Sequence, residues 1–414
     1  MCVLSSKEKE YSVQAILERF FASYLVSPDR KLRLEDYHLK AVHQIRSCRT
    51  ARLGVYHYSC ESCGDTHALA RSCKHRFCSR CGMADTHRWA ERMLGRLLEM
   101  KHHHVVFTLP KALRWLSQRN GVLLHNLLFR VSSEVLKEWF WHKHDLRCGL
   151  VSVLHTNGSQ LNYHPHVHMI VTAGGLNEEG QVMRLSGEYL CNAKWLGRQF
   201  KRKFIAEVMK LYEKGDLEVA ARLAEQQKLG KWLRDIGGDH NWIVHIEKSL
   251  PNVSDLIRYV GRYTKRSCIS ERRILGVGDD YVEISYKDYK NSDRGGKPQE
   301  GRRRYKVNEF LDALLQHIPP PGYKVVRYYG IYGTSEQMYL PADELRDASE
   351  YDEIDFASLE ERIIGDDLRE YRKYILHKTG RDPLYCYECH QEKVLIDVLY
   401  EKAEQLQLEL EDSS

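Results

Sequence analysis

Leu161-Asn-Tyr-His164-Pro-His166-Val-His168-Met-Ile-Val-Thr172 is the stretch on which the reading of this chain turns. His164, His166 and His168 alternate with Pro165, Val167 and Met169, and the run continues into Ile170 and Val171. Period-two alternation predicts a β-strand with the three imidazoles on one face and Val167 turned to the core. Neutral imidazole is the commonest protein metal ligand, and two histidines two apart on a strand can grip one ion. The competing reading is a half-exposed strand merely rich in histidine, in a chain that has 21 of them.

The surrounding patterns build outward from this strand. Leu150 to Leu154 predicts a neighbouring strand, and Asn157-Gly158 is a turn dipeptide that joins the two as a hairpin. His104-Val-Val-Phe-Thr-Leu-Pro110 is a continuous apolar run ended by proline, the pattern of a buried strand. Residues 10–50 and 111–142 carry helical spacing, and residues 192–236 are helical and basic, with 11 Lys or Arg against 6 Asp or Glu. Strands are expected again at 242–247, 281–286 and 324–332, with a helix from Ser254 to Arg266 between them. No repeat or low-complexity tract interrupts the order.

The chain's 414 residues are enough for two or three domains. No apolar run approaches the roughly 18 residues that span a bilayer. Lys7, Glu8, Lys9 and Glu10 stand where an export signal would be apolar, so export is not expected, and a cytoplasmic protein with no membrane partner is. The net charge of +6 hides a segment, 343–370, with 12 acidic residues and 3 Arg. The basic remainder suits a polyanionic partner. The acidic segment reads as a solvated helical face, or else as an autoinhibitory or interaction surface.

Cys60-Glu-Ser-Cys63 and Cys78-Ser-Arg-Cys81 are two Cys-x-x-Cys knuckles 14 residues apart. Four thiolates at that spacing predict one tetrahedral structural zinc site, with Cys73, His67 and His75 as spare donors. Arg71, Lys74, Arg76 and Arg80 inside the module suggest a nucleic-acid surface. Cys386-Tyr-Glu-Cys389-His390 is half a site: either it binds a second zinc with distant ligands or it is a turn with two free thiols.

Tyr259 and Tyr263 lie four apart and so share a helix face, among Arg258, Arg262, Lys265 and Arg266. A tyrosine hydroxyl with a pKa near 10 needs a polarised electrophile and cationic neighbours to act as a nucleophile. A phosphodiester held by a divalent ion is such an electrophile. Paired tyrosines on a helix are also ordinary packing residues, and the His strand upstream tips the balance towards chemistry.

Together these motifs resemble the rolling-circle insertion-sequence transposases of the two-tyrosine HUH class (His, bulky apolar residue, His). The resemblance rests on Cys48-Arg-Thr, both knuckles, His104–Pro110, Leu154-His-Thr156, His164-Pro-His-Val-His168, Tyr259-Val-Gly-Arg-Tyr263, Tyr286-Lys-Asp-Tyr-Lys290, Glu309-Phe310 and Arg327-Tyr-Tyr-Gly330. It covers nearly the whole chain and implies an α+β fold, a central antiparallel sheet flanked by helices. It implies that His166 and His168 hold catalytic Mg²⁺ or Mn²⁺, with His155 or His164, or as a weaker candidate Gln160, as third ligand. One tyrosine would attack single-stranded DNA at an element end or target, leaving a 5′-phosphotyrosine and a free 3′-hydroxyl, and the second would serve the other cleavage. The domains expected are a helical and zinc-ribbon-like region at 1–100 (module 56–82), a catalytic domain at 101–340 with the basic insertion 192–236, and an acidic helical region at 341–414. A homodimer would pool tyrosines. A plasmid relaxase or replication initiator shares the chemistry, and a zinc-ribbon DNA-binding regulator is the non-enzymatic alternative.

Overall fold

The computed structural model describes residues 11–81, 89–90, 92–187, 190–223, 226–239, 242–247, 257, 267–292, 298–333, 372, 375–376 and 379–400. Helices α1 (Val13–Val26) and α2 (Asp36–Arg46) open the chain, followed by the hairpin of β1 (Val55–Ser59) and β2 (Thr66–Ala70). Strand β3 (His102–Thr108) leads into the short helix α3 (Arg114–Arg119) and the long α4 (Gly121–His144). A hairpin of β4 (Gly149–Asn157) and β5 (Tyr163–Thr172) comes next, then the small hairpin β6 (Gly174–Leu176) and β7 (Val182–Arg184). Helices α5 (Ala193–Glu213) and α6 (Gln226–Asp239) precede β8 (Val244–Ile246). The chain continues through β9 (Ile274–Val277), β10 (Tyr281–Ser292), β11 (Pro298–Lys306), α7 (Val307–Leu315) and β12 (Val326–Gly330). It closes with β13 (Tyr385–Cys386), β14 (Gln391–Glu392) and β15 (Val394–Leu399).

These elements form two compact units, one from residues 87–264 and 322–352 and the other from residues 1–86, 265–321 and 353–414. The first holds a five-stranded sheet in the order β12-β4-β5-β3-β8, antiparallel throughout. The alternation of β5 does what its sequence predicts. Val167, Met169 and Val171 join Val105 and Phe107 of β3 and Leu150 and Leu154 of β4 in one buried cluster. Helices α4 and α5 cover this face. Leu196, Phe200, Phe204 and Val208 recur every four residues on α5 and are wholly buried, so they form one stripe. The Phe200 ring meets Phe107 edge-on at 5.0 Å and Trp242 at 5.3 Å. Burying each such ring contributes roughly 1.5–3 kcal/mol. Gly197 lets the helix approach that closely, since a Cβ there would stand 2.6 Å from the Trp242 carbonyl oxygen. The other face of β3, β4 and β5 is left for the histidines.

The second unit contains α1 and α2, the sheet β15-β1-β2 and the sheet β11-β10-β9 with α7 beside it. Ser12 caps α1 by accepting from the Ala15 amide at 3.0 Å, and the Tyr24 hydroxyl donates to Asp312 of α7 at 2.8 Å. This division departs from the expected one. Residues 385–399 form strands rather than helix, and β15 pairs antiparallel with β1, so this end of the chain completes the cysteine module instead of standing apart. The sheet of β9–β11 also belongs with that unit rather than with the sheet that carries the histidines. The acidic segment 343–370 lies outside the described residues. No helix among the described residues is long and apolar enough to cross a membrane.

Candidate active site

Strand pairing brings together histidines that the sequence keeps apart. In the β4–β5 register His155 stands directly opposite His166, and Val153 opposite His168. Paired residues of an antiparallel ladder share a face, so the three imidazoles converge. His155 lies 4.5 Å from His168 and 5.1 Å from His166, ring centre to ring centre, and His166 lies 4.9 Å from His168. One ring nitrogen from each falls within 4.8 Å of the other two. The ladder shifts register just past His155, before Asn157, and irregularities of this kind re-aim side chains beside functional sites.

His164 shares the face but not the cluster. The Arg114 guanidinium donates to its Nδ1, and its place among the converging nitrogens is taken by His155 from the adjacent strand. Among the described residues it is His155, and not His164, that groups with His166 and His168.

The hydrogen bonds around the triad orient its lone pairs. His166 Nδ1 lies 2.6 Å from the His164 carbonyl oxygen, which can only accept. Nδ1 therefore carries the proton and Nε2 is left as a donor of electrons. Behind His168 stands a relay that the sequence did not reveal. His104 Nδ1 lies 3.0 Å from Glu247 Oε2, and His104 Nε2 lies 2.9 Å from His168 Nδ1. The carboxylate only accepts, so in a neutral His104 ring Nε2 accepts from His168 Nδ1–H, freeing His168 Nε2. The hydrogen bond from His104 holds the Glu247 carboxyl below its usual range despite partial burial. Burial lowers the pKa of His166 to about 4 and that of His164 to about 3, and moves His168 the same way. Neutral rings are the form that binds metal.

Tyr259 and Tyr263, with Arg258, Arg262, Lys265, Arg266 and the helix expected around them, lie outside the described residues. Ile257, described at the head of that motif, is fully buried.

The cysteines correct the expected zinc site. Cys60, Cys63, Cys78 and Cys81 do not share one centre: Cys78 and Cys81 group with Cys48 and Cys73, whereas Cys60 and Cys63 group with Cys386 and Cys389. The reason is topological. Cys48 follows the end of α2 and Cys73 follows β2, which returns the chain to the second knuckle, while β15 brings the C-terminal knuckle to the first. In the first group Cys48 and Cys81 sulfurs are 3.5 Å apart, Cys73 and Cys81 3.7 Å, and Cys48 and Cys78 3.8 Å. A tetrahedron of thiolates about 2.3 Å from zinc has edges of about 3.8 Å, so the donor set fits the ion. All eight cysteines are free thiols.

Comparison with known proteins finds matches in two regions of the chain. Residues 16–109 match a family described as a transposase zinc-binding domain (of the IS91 type), and residues 149–338 match one described as a putative transposase. A putative transposase, y4qJ, of Sinorhizobium fredii is 31% identical over 85% of this chain and 86% of its own length. The transposase for insertion sequence element IS801 of Pseudomonas savastanoi pv. phaseolicola is 32% identical over 74% of this chain and 73% of its own. The chain belongs to the IS91 type of insertion-sequence transposase. No solved structure matches it significantly.

Proposed function

We propose that this protein is a transposase that nicks and rejoins single-stranded DNA at the ends of its element and at its target. The observation that carries this reading is the convergence of His155, His166 and His168 on one sheet face, with His168 braced by His104 and Glu247. A divalent ion held by these three nitrogens would supply Lewis acidity at a phosphoryl oxygen. Tyr259 or Tyr263 provides the nucleophile. Its hydroxyl oxygen, losing its proton, bonds to phosphorus as the bond from phosphorus to the 3′ oxygen breaks. The departing oxygen takes up a proton as a 3′-hydroxyl, and the 5′ phosphate stays on the tyrosine. Attack by a 3′-hydroxyl reverses the step and transfers the strand. Arg258, Arg262, Lys265 and Arg266 offset the charge of the DNA backbone. A relaxase or initiator would use the same chemistry, and the insertion-sequence relatives favour transposition.

The donor set bears on the metal. Imidazole suits transition ions, whereas Mg²⁺ prefers oxygen ligands and retained water. Mn²⁺ should therefore support the reaction at lower concentration than Mg²⁺. The test is incubation with labelled single-stranded DNA from the element's ends and either ion, followed by denaturing electrophoresis. A covalent protein–DNA species dependent on added metal is expected; its absence with both ions would leave the non-enzymatic DNA-binding regulator as the better reading.

Glu247 acts through His104 as a positioning residue. Glu247→Gln removes the charge that fixes the His104 tautomer, and losing such an outer partner typically costs about 10–100-fold in metal affinity. Titration calorimetry with Mn²⁺ reads this directly, and an unchanged affinity would remove the relay from the account.

A further inference from the structure

We propose that Cys60, Cys63, Cys386 and Cys389 form a second zinc site, a clasp that ties the C-terminal strand to the N-terminal module. Cys60 and Cys63 fall within the matched zinc-binding domain while Cys386 and Cys389 lie far outside it, and the site stands whether or not the nuclease reading holds.

The geometry is that of a closed thiolate site. One sulfur from each cysteine falls within 4.8 Å of the other three, and Cys63 and Cys386 approach to 3.5 Å. That is far longer than the roughly 2.05 Å of a disulfide and close to the edge of a zinc–thiolate tetrahedron. Both pairs sit on the same kind of turn. Gly64 directly follows Cys63 with φ +74°, and His390 directly follows Cys389 with φ +54°. The Gly64 amide donates to the Cys60 carbonyl at 2.9 Å, closing the first knuckle. Around the sulfurs, Gln391 Nε2 donates to Cys60 Sγ at 3.1 Å and to Ser62 Oγ at 2.8 Å, and Lys393 pairs with Asp65 at 2.7 Å. An amide aimed at sulfur is what a thiolate ligand requires. Four soft donors with no carboxylate select zinc over the hard cations.

The strand that follows gives the clasp a role. Leu395, Ile396 and Leu399 of β15 are 49%, 58% and 51% exposed, so this strand buries little apolar surface when it adds to β1. Cys63 and Cys386 are 323 residues apart in the chain, so the strand is held to the module by long-range contacts alone. The ladder with β1 and the 2.8 Å bond between Arg71 and the Tyr400 hydroxyl supply part of them. A metal bridging the two knuckles supplies an attachment that hydrophobic burial does not.

Metal analysis of the full chain should find two zinc ions per protein, and one in either Cys60→Ser/Cys63→Ser or Cys386→Ser/Cys389→Ser. A single ion in the wild type, or two retained in the C-terminal double variant, overturns the proposal. Alkylation of the wild type avoids any question of variant folding. Cys60, Cys63, Cys386 and Cys389 should be protected together in zinc-loaded protein and become reactive together on chelation. Rapid labelling of Cys386 and Cys389 while zinc is bound would equally refute the clasp.

Discussion

Tyr259→Phe/Tyr263→Phe forms no covalent adduct with single-stranded DNA, while each single variant still cleaves an oligonucleotide. The expectation follows from their spacing. Side chains four apart share one helix face, so both hydroxyls can reach one metal site, but only one at a time can stand in line with the scissile bond. Phenylalanine keeps the ring and its packing and removes only the oxygen that attacks, so lost activity would not report unfolding. If transposition in cells needs two linked cleavages, it should fail in both single variants, unless a dimer pools its tyrosines. Mass spectrometry of the adduct peptide decides the matter: DNA on Tyr328, Tyr332 or a serine would overturn the mechanism.

The second large effect is at the histidines. His155→Ala, His166→Ala and His168→Ala should each lower metal-dependent nicking on the order of 10³-fold, the equivalent of a few kcal/mol of lost phosphate polarisation. DNA affinity should change little, because it comes chiefly from Lys and Arg contacts to the backbone. His164→Ala is the informative control. Its Nδ1 is taken by Arg114 and it stands outside the converging nitrogens, so its loss should be far milder. Nicking rates near wild type in the His166 or His168 variants, measured beside His164→Ala, would sink the assignment of the triad.

How much of this was legible in the sequence varies with the range of the interaction involved. The strand nature of β5, its His face and its Val167 face could be read directly, because side chains alternate with a period of two whatever the partner strand. The choice between His155 and His164 could not. It depends on the register in which β4 pairs with β5, and a slip of one residue would turn His155 to the opposite face. His104 and Glu247 looked like ordinary members of an apolar strand and of the end of another, and only the β3–β5 and β3–β8 pairings set them behind His168. The tyrosine helix remains a reading of sequence, since its residues lie outside those described.

The cysteines draw the same line most plainly. Each Cys-x-x-Cys announces itself in sequence, because two thiols three residues apart on a tight turn point the same way and offer half a tetrahedron. Which halves join is a tertiary decision. Cys60 and Cys63 find Cys386 and Cys389 because β15 adds to β1, and Cys78 and Cys81 find Cys48 and Cys73 because α2 ends and β2 returns beside them. The sequence alone determined the family through its motifs and, through local spacing, the strand character of β3, β4 and β5, the ligand types and the candidate nucleophiles. The tertiary structure decided the third histidine, the relay behind His168 and the partition of eight thiols, because each depends on contacts between residues far apart in the chain.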